Sequence, residues 1–288
     1  MNTTSNPIFL GGLFKSGTSL LRAMVGQHSN IASGLETTWF DVDWEGRTGP
    51  GGKPIEAYFQ QQANWFDFSE DKVNSMAAES ANIHEFISRL LDAYAESQGK
   101  PRWAEKTPGN VRHIDRIMSG WPGARFVHII RNPLDVLASL RESNKWDDAE
   151  TFSTLWCSFF GAVEDFRQQG VITAENYLEI RYEGLITDAE GTMRGVMDFV
   201  GEPWEEAVAH FEGKSDDYQK VLDQTGIASS TLERLAKPIT NERIAIWRRV
   251  LSESDIEAVR ERMDQQGRLE LFDRIVDEAN RFSADLVA

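Results

Sequence analysis

The most constraining feature of the chain is the stretch Ile8-Phe9-Leu10-Gly11-Gly12-Leu13-Phe14-Lys15-Ser16-Gly17-Thr18-Ser19-Leu20-Leu21-Arg22-Ala23-Met24. A short apolar run meets a glycine pair. A compact Lys-Ser-Gly-Thr-Ser segment follows, and Leu20, Leu21 and Met24 then fall near helical spacing. That order predicts strand, tight loop, helix. Such a loop leaves backbone N–H groups at the helix N-terminus, where the macrodipole favours an anion. Lys15 adds a mobile positive charge, and Ser16, Thr18 and Ser19 add hydroxyl donors, so the stretch reads as a phosphate cradle. Gly12 to Ser19 keeps the spacing of the nucleotide-binding pattern G-x-x-x-x-G-K-[ST]. Thr18, however, stands where that pattern has its lysine, and the lysine is three positions earlier at Lys15. The displacement points to a different anion geometry; a glycine-rich turn that binds nothing is the plain alternative.

The rest of the sequence narrows the partners. A net charge of −16 disfavours nucleic acid, anionic membranes and long polyanions, but not a small anionic cofactor met by a few converging Lys and Arg. The start, Met1 to Pro7, has no basic segment, and the apolar run behind it is too short for a signal peptide or membrane span. The single cysteine, Cys157, sits among Leu155, Trp156, Phe159 and Phe160 and reads as a core filler. A reducing, cytoplasmic setting is expected.

Along the chain, strands and helices alternate. Residues 41–69 read as an irregular excursion of Gly and Pro with scattered aromatics. It is either a lid or acceptor-pocket wall, or a loop capped by its own aromatics. One long helix is expected from Glu70 to Glu96, with His84 solvated on it. A strand over Arg102–Lys106 and a helix through Val111, Ile114, Ile117 and Met118 follow. Arg125–Ile130 is the most apolar strand, with His128 as a satisfied core histidine. Helices from Pro133 and across Thr154–Gln168, a strand Tyr177–Ile180 and a helix around Glu190–Val200 come next. After a Gly/Ser-rich loop near Gly226–Ser230 the remainder is mainly helical. No linker or repeat divides residues 1–288, so one domain is expected. The alternation predicts an α/β doubly wound, mainly parallel sheet flanked by helices, with a helical C-terminal part. Ligands of that architecture sit outside the carboxyl ends of the strands.

Four segments should converge there: Lys15–Ser19, Gly34-Leu35-Glu36-Thr37, Glu105-Lys106-Thr107-Pro108, and Arg131-Asn132-Pro133 with Ser139 along its helix. Taken together, these residues resemble sulfotransferases that use 3'-phosphoadenosine 5'-phosphosulfate (PAPS), over most of the chain. The resemblance implies a P-loop-containing fold. It also implies that Lys15, Ser16, Gly17, Thr18 and Ser19 hold the 5'-phosphosulfate, and that Arg131 and Ser139 hold the 3'-phosphate. Lys106 matches the family's second active-site lysine. Ile180-Arg-Tyr182-Glu-Gly-Leu185 with Asp198-Phe-Val-Gly201 is similar to a further family block, a resemblance that implies cofactor binding by Tyr182. Ser229-Ser230…Lys237-Pro238 with Trp247 resembles its late cofactor-covering loop. Gly34-Leu35-Glu36-Thr37 is shared with the branch containing the tyrosylprotein sulfotransferases and many bacterial relatives. The chain departs from that branch in having Lys15 where arginine is usual, Gly267-Arg268 where Gly-Tyr is usual, and no basic residue at Ser143. Arg141 and Lys145 are the neighbours placed to compensate.

The expected chemistry is in-line sulfuryl transfer from PAPS to a hydroxyl, leaving adenosine 3',5'-bisphosphate. It depends on position and charge stabilisation more than on covalent catalysis. Lys15 and Lys106 take the charge on the transferred group without a metal ion, and five scattered histidines offer no ligand cluster. Glu36 is the expected base, with His113 and Asp41 as substitutes and a capping carboxylate as the alternative for Glu36 itself. The expected partners are a small-molecule or peptide hydroxyl acceptor and, in a homodimer, a second copy of the chain. Two rivals remain at this stage: a P-loop kinase of a small metabolite, and a catalytically silent nucleotide-binding module.

Overall fold

A computed structural model describes residues 6–145, 148–210 and 239–283. Five parallel strands, β1 Ile8–Gly11, β2 Ile31–Ser33, β3 Arg102–Lys106, β4 Arg125–Ile130 and β5 Tyr177–Arg181, form one sheet in the order β2-β3-β1-β4-β5. The central strand β1 is buried along its whole length, which is why it reads as an unbroken apolar run. Its side chains alternate between two cores. Phe9, in register with Phe126 of β4, packs with Trp103 and the large aromatic cluster on one face. Ile8 and Leu10 pack with Val127, Ile129 and the helices α1 Thr18–Val25 and α9 Ala189–Val200 on the other. Between α1 and α9 run α2 Ile55–Phe66, α3 Glu70–Ala78, α4 Ile83–Ser97, α5 Ile114–Gly120, α6 Pro133–Arg141, α7 Ala149–Gln168 and α8 Tyr182–Thr187. Helices at Trp247–Val250, Glu253–Gln265 and Leu269–Ser283 follow.

The fold class expected from the sequence is the one observed, with local differences. The excursion at 41–69 is irregular only in its first half; α2 occupies the second. Its buried residues Ile55, Tyr58, Phe59, Gln62, Ala63 and Phe66 follow helical periodicity, and the aromatic scatter hid that periodicity. Tyr58 and Phe59 lie against Phe86 of α4, with Phe59 at 5.0 Å, so most of these aromatics serve the core. The single helix expected over 70–96 is two. It breaks where Asn82 accepts a hydrogen bond from the Glu85 amide at 3.0 Å and starts α4 as an N-cap. His84 is only partly solvated: it packs 4.9 Å from Trp121 and 5.5 Å from Trp39, and burial lowers its pKa. His128 is a core histidine, but only one ring nitrogen is satisfied, Nδ1 at 2.6 Å from the Tyr177 hydroxyl. Cys157 is half-buried against the core, with Sγ 3.8 Å from Met263 Sδ. Among the described residues no helix is long and apolar enough to cross a membrane. The loop at Gly226–Ser230, with Ser229, Ser230, Lys237 and Pro238, lies outside the described residues.

Candidate active site

The parallel register brings the carboxyl ends of β1, β3 and β4 together. Leu10 pairs with both Lys106 and Val127, so the loop after β1, Lys106 and Arg131 emerge on one edge. The loop closes by a hydrogen bond from the Ser16 amide to the Leu13 carbonyl at 3.1 Å and delivers Thr18 and Ser19 into the first turn of α1. No side chain caps α1 and no acidic residue sits in its first turn, which leaves that end to an anion. Glycine is required twice in this loop. A Cβ on Gly12 would come 2.4 Å from the Ile129 carbonyl oxygen. Gly17 has φ +95°, and a Cβ there would lie 2.5 Å from the Tyr182 ring.

Glu36 follows the short strand β2, which three residues are too few to announce in the sequence. Buried Arg22 of α1 donates to the carbonyls of Ser33 and Gly34 at 3.0 and 3.2 Å, fixing where the Glu36 segment leaves the sheet. The Nζ of Lys106 pairs with Glu36 Oε1 and donates to Ser19 Oγ at 3.4 Å. Lys106 is 2% exposed and Glu36 37%, so the lysine is fixed from below while the carboxylate reaches solvent. The two alternative bases are nearby but altered. His113 stacks on Phe40 at 4.3 Å, and burial lowers its pKa to about 4. Burial raises the pKa of Asp41 against the pull of Arg112 and Arg116.

Arg131, buried at the start of α6, holds the other side. It donates to the Lys15 carbonyl at 2.8 Å and to the Arg243 carbonyl, and its guanidinium lies 4.6 Å from the Tyr182 ring centroid. Ser139 is also buried, and its Oγ accepts from Arg243 Nη2 at 3.3 Å. Among the described residues, neither Arg131 Nε nor Arg243 Nε has a hydrogen-bond partner, although both are buried. Two guanidinium N–H groups left in this way on adjoining arginines, one of which reaches a serine hydroxyl, suit a phosphate group. Arg243 carried no signal in the sequence. It arrives because buried Asp135 accepts from the amides of Ala245 and Trp247 at 2.9 and 3.0 Å, which docks that late segment on α6. Burial raises the Asp135 pKa against the pull of Arg131 and those amides. Glu183, quoted above only as part of a block, accepts from the Asn132 amide at 2.9 Å and so anchors the start of α6. Arg141 is bound to Asp255 at 2.7 and 3.0 Å, and the cation that reaches the Ser139 hydroxyl is Arg243.

Among the described residues, three of the six non-glycine residues with positive φ lie along this edge. Lys15, Thr38 and Ala245 all have positive φ, of 67°, 49° and 56°. Each is pinned by a site neighbour: the Lys15 carbonyl by Arg131, the Thr38 amide by Thr107 Oγ1 at 3.2 Å, and the Ala245 amide by Asp135. Non-glycine residues in this region cost about 1–3 kcal/mol each and persist where the surroundings over-determine them.

Comparison with known proteins agrees with this geometry. The profile of the sulfotransferase family matches residues 7–206. The protein-tyrosine sulfotransferase of Drosophila melanogaster is 22% identical over 83% of this chain, and protein-tyrosine sulfotransferase A of Caenorhabditis elegans 24% over 85%. The matched regions span only 46% and 62% of those two proteins. Among solved structures, the sulfotransferase domain from the curacin biosynthetic pathway shares the fold at a TM-score of 0.66. It is 16% identical and covers 92% of this chain and 99% of that one. The sulfotransferase domain of the Synechococcus PCC 7002 olefin synthase does so at 0.64, with 19% identity, over 91% and 95%. With the family profile running from β1 through α9 and across every strand end that builds the site, this chain belongs to the sulfotransferase family.

Proposed function

We propose that the protein transfers a sulfuryl group from PAPS to a hydroxyl acceptor, in line and without a metal ion. The observation that carries this reading is Lys106, whose ammonium group joins the anion loop at Ser19 to the carboxylate of Glu36. A kinase of the P-loop type needs its lysine at Thr18, where this chain has none. The residues present fit a bisphosphorylated nucleotide: an uncapped helix start behind a loop whose Gly12 and Gly17 leave no room for a Cβ, and two neighbouring guanidinium groups with unmatched N–H, one of them bound to the Ser139 hydroxyl.

PAPS, when bound, supplies a sulfuryl group activated by a phosphate leaving group. Lys15, Ser16, Gly17, Thr18 and Ser19 hold the phosphosulfate end, and Arg131, Ser139 and Arg243 the separate phosphate. Tyr182 keeps Arg131 and Gly17 in place. Lys15 and Lys106 stabilise negative charge developing on the transferred oxygens. Glu36 accepts the proton of the acceptor hydroxyl, a contribution of roughly 10²–10⁴-fold. Lys106 keeps the Glu36 carboxylate on the donor side of the cleft. The acceptor side is bounded by Phe40, which is stacked on His113 and close enough to Gly109 to exclude a Cβ there.

Thermal-shift titration tests the reading. Adenosine 3',5'-bisphosphate should raise Tm by mass action, and ATP with Mg²⁺ should do so far less. Glu36→Gln should keep this stabilisation while turnover falls by roughly 10²-fold or more. Preference for ATP with Mg²⁺ would sink the sulfotransferase reading, and full turnover in Glu36→Gln would move the base elsewhere.

A further inference from the structure

We infer that Glu105 is the positioning residue of the active site, the group that sets Glu36 against Lys106. The inference rests on Glu36 acting as the base. Glu105 immediately precedes Lys106 on β3, and strand alternation turns its carboxylate to the opposite face of the sheet. There it is 1% exposed, and among the described residues no cation is paired to it. Its charge is met by four hydrogen bonds. Oε1 accepts from the Thr37 amide at 3.1 Å, the Thr37 hydroxyl at 2.9 Å and the Thr107 hydroxyl at 2.7 Å. Oε2 accepts from the Asn110 amide group.

These donors are the sequence neighbours of the chemistry. Thr37 follows Glu36, and Thr107 follows Lys106. The Thr107 oxygen also accepts from the amide of Thr38, which holds that residue at its positive φ. Asn110 continues the set: it donates to the Leu10 carbonyl at 3.1 Å and accepts from Trp39 Nε1 at 3.1 Å. One buried carboxylate therefore ties the end of β1, the Lys106 strand end and the turn after Glu36 into a unit. Stability alone is a poor explanation for a buried, unpaired carboxylate, because an apolar residue of similar volume is often as good or better. The arrangement over-determines a strained turn, and the residue that turn presents is Glu36. Misplacing a reacting group by about 1 Å costs roughly 10²-fold in rate.

Glu105→Gln removes the charge and sets an NH₂ group against Asn110. Asn110 cannot rotate to accept it without losing Trp39 and the Leu10 carbonyl. Thr107→Val keeps the shape and removes two of the bonds; it serves if Glu105→Gln does not fold. Turnover is read as bisphosphate release from PAPS with 4-nitrophenol as probe hydroxyl, and amide exchange of residues 36–38 is followed on the same samples. Each variant should lose ten- to a hundredfold in kcat, keep its bisphosphate Kd within about twofold, and exchange faster at 36–38. In a Glu36→Gln background, Glu105→Gln should cost nothing further, because its effect passes through Glu36. An equal fold-loss in both backgrounds, or unchanged exchange at 36–38, overturns the inference and leaves Glu105 a structural residue. Full turnover in Glu36→Gln alone instead overturns the base assignment, and the positioning role with it.

Discussion

Arg131 and Arg243 illustrate how one charge is given two tasks. Arg131 faces the buried carboxylates of Asp135 and Glu183, and its positive charge lowers the pKa of both against the rise that burial causes. Arg243 is paired at 2.7 Å with Glu142, a half-exposed partner at the end of α6. The two arginines should therefore fail differently. Arg243→Ala should remove the charge-assisted phosphate contact proposed for it, worth about 1.5–3 kcal/mol, and weaken bisphosphate binding by on the order of ten- to a hundredfold with Tm nearly unchanged. Arg131→Ala should lose binding to a similar degree and also lose Tm, because buried Glu183 loses the cation beside it and buried Asp135 keeps only Arg243. Titration calorimetry beside a thermal melt separates the cases. Wild-type affinity in Arg243→Ala would remove it from the phosphate site.

At the scale of elements, the turn between β1 and α1 depends on α8 as much as on itself. Gly17 holds φ +95° directly against the Tyr182 ring, and that ring also covers Arg131. Gly17→Ala should strain the loop by about 1–2 kcal/mol before any movement of Tyr182. At about 2–4 °C per kcal/mol this is a fall of several degrees in Tm. Displacing Tyr182 should also disturb Arg131, so bisphosphate affinity should fall with stability; a melt alone shifting would uncouple the two elements. The same turn shows what the sequence could carry. Strand, loop and helix were legible because burial on both faces and helix spacing are local patterns. The Glu105 and Asp135 contacts were not, since each joins segments about 70 to 110 residues apart and leaves no periodic trace. Arg243 was invisible for the same reason: Asn241-Glu242-Arg243 is an ordinary polar turn until Asp135 docks the residues after it. The break before α4 was legible in principle, since Asn82 ahead of Ile83 is a cap signal that a continuous helical reading overran.

For the whole molecule, the pairing of β4 with the edge strand β5 makes stability depend on pH. His128 is fully buried in β4, and the Tyr177 hydroxyl that meets its Nδ1 donates to Glu179 at 3.0 Å. Tyr177 thus accepts from His128, which carries its proton on Nδ1, and Nε2 is left without a partner among the described residues. Burial lowers the pKa to about 4; Glu179 opposes the shift, while Arg181 and Arg167 add to it. The unfolded chain, with histidine near 6.5, binds more protons between those values. The stability held by neutral His128 is therefore complete above about pH 6.5 and is lost as pH falls towards about 4. The half-buried His113 shifts in the same direction. The raised carboxyls of Glu105, Asp135 and Glu183 work the other way, binding more protons when folded. A single melt at each pH would mix these contributions, so the comparison is with His128→Asn, whose amide can keep the donation to Tyr177. Between about pH 7.5 and about pH 5 the wild type should lose roughly 2 kcal/mol relative to that variant, measured by urea unfolding. A constant difference across that range would mean that His128 titrates alike in the folded and unfolded chain, and that the interior of β4 tolerates its charge.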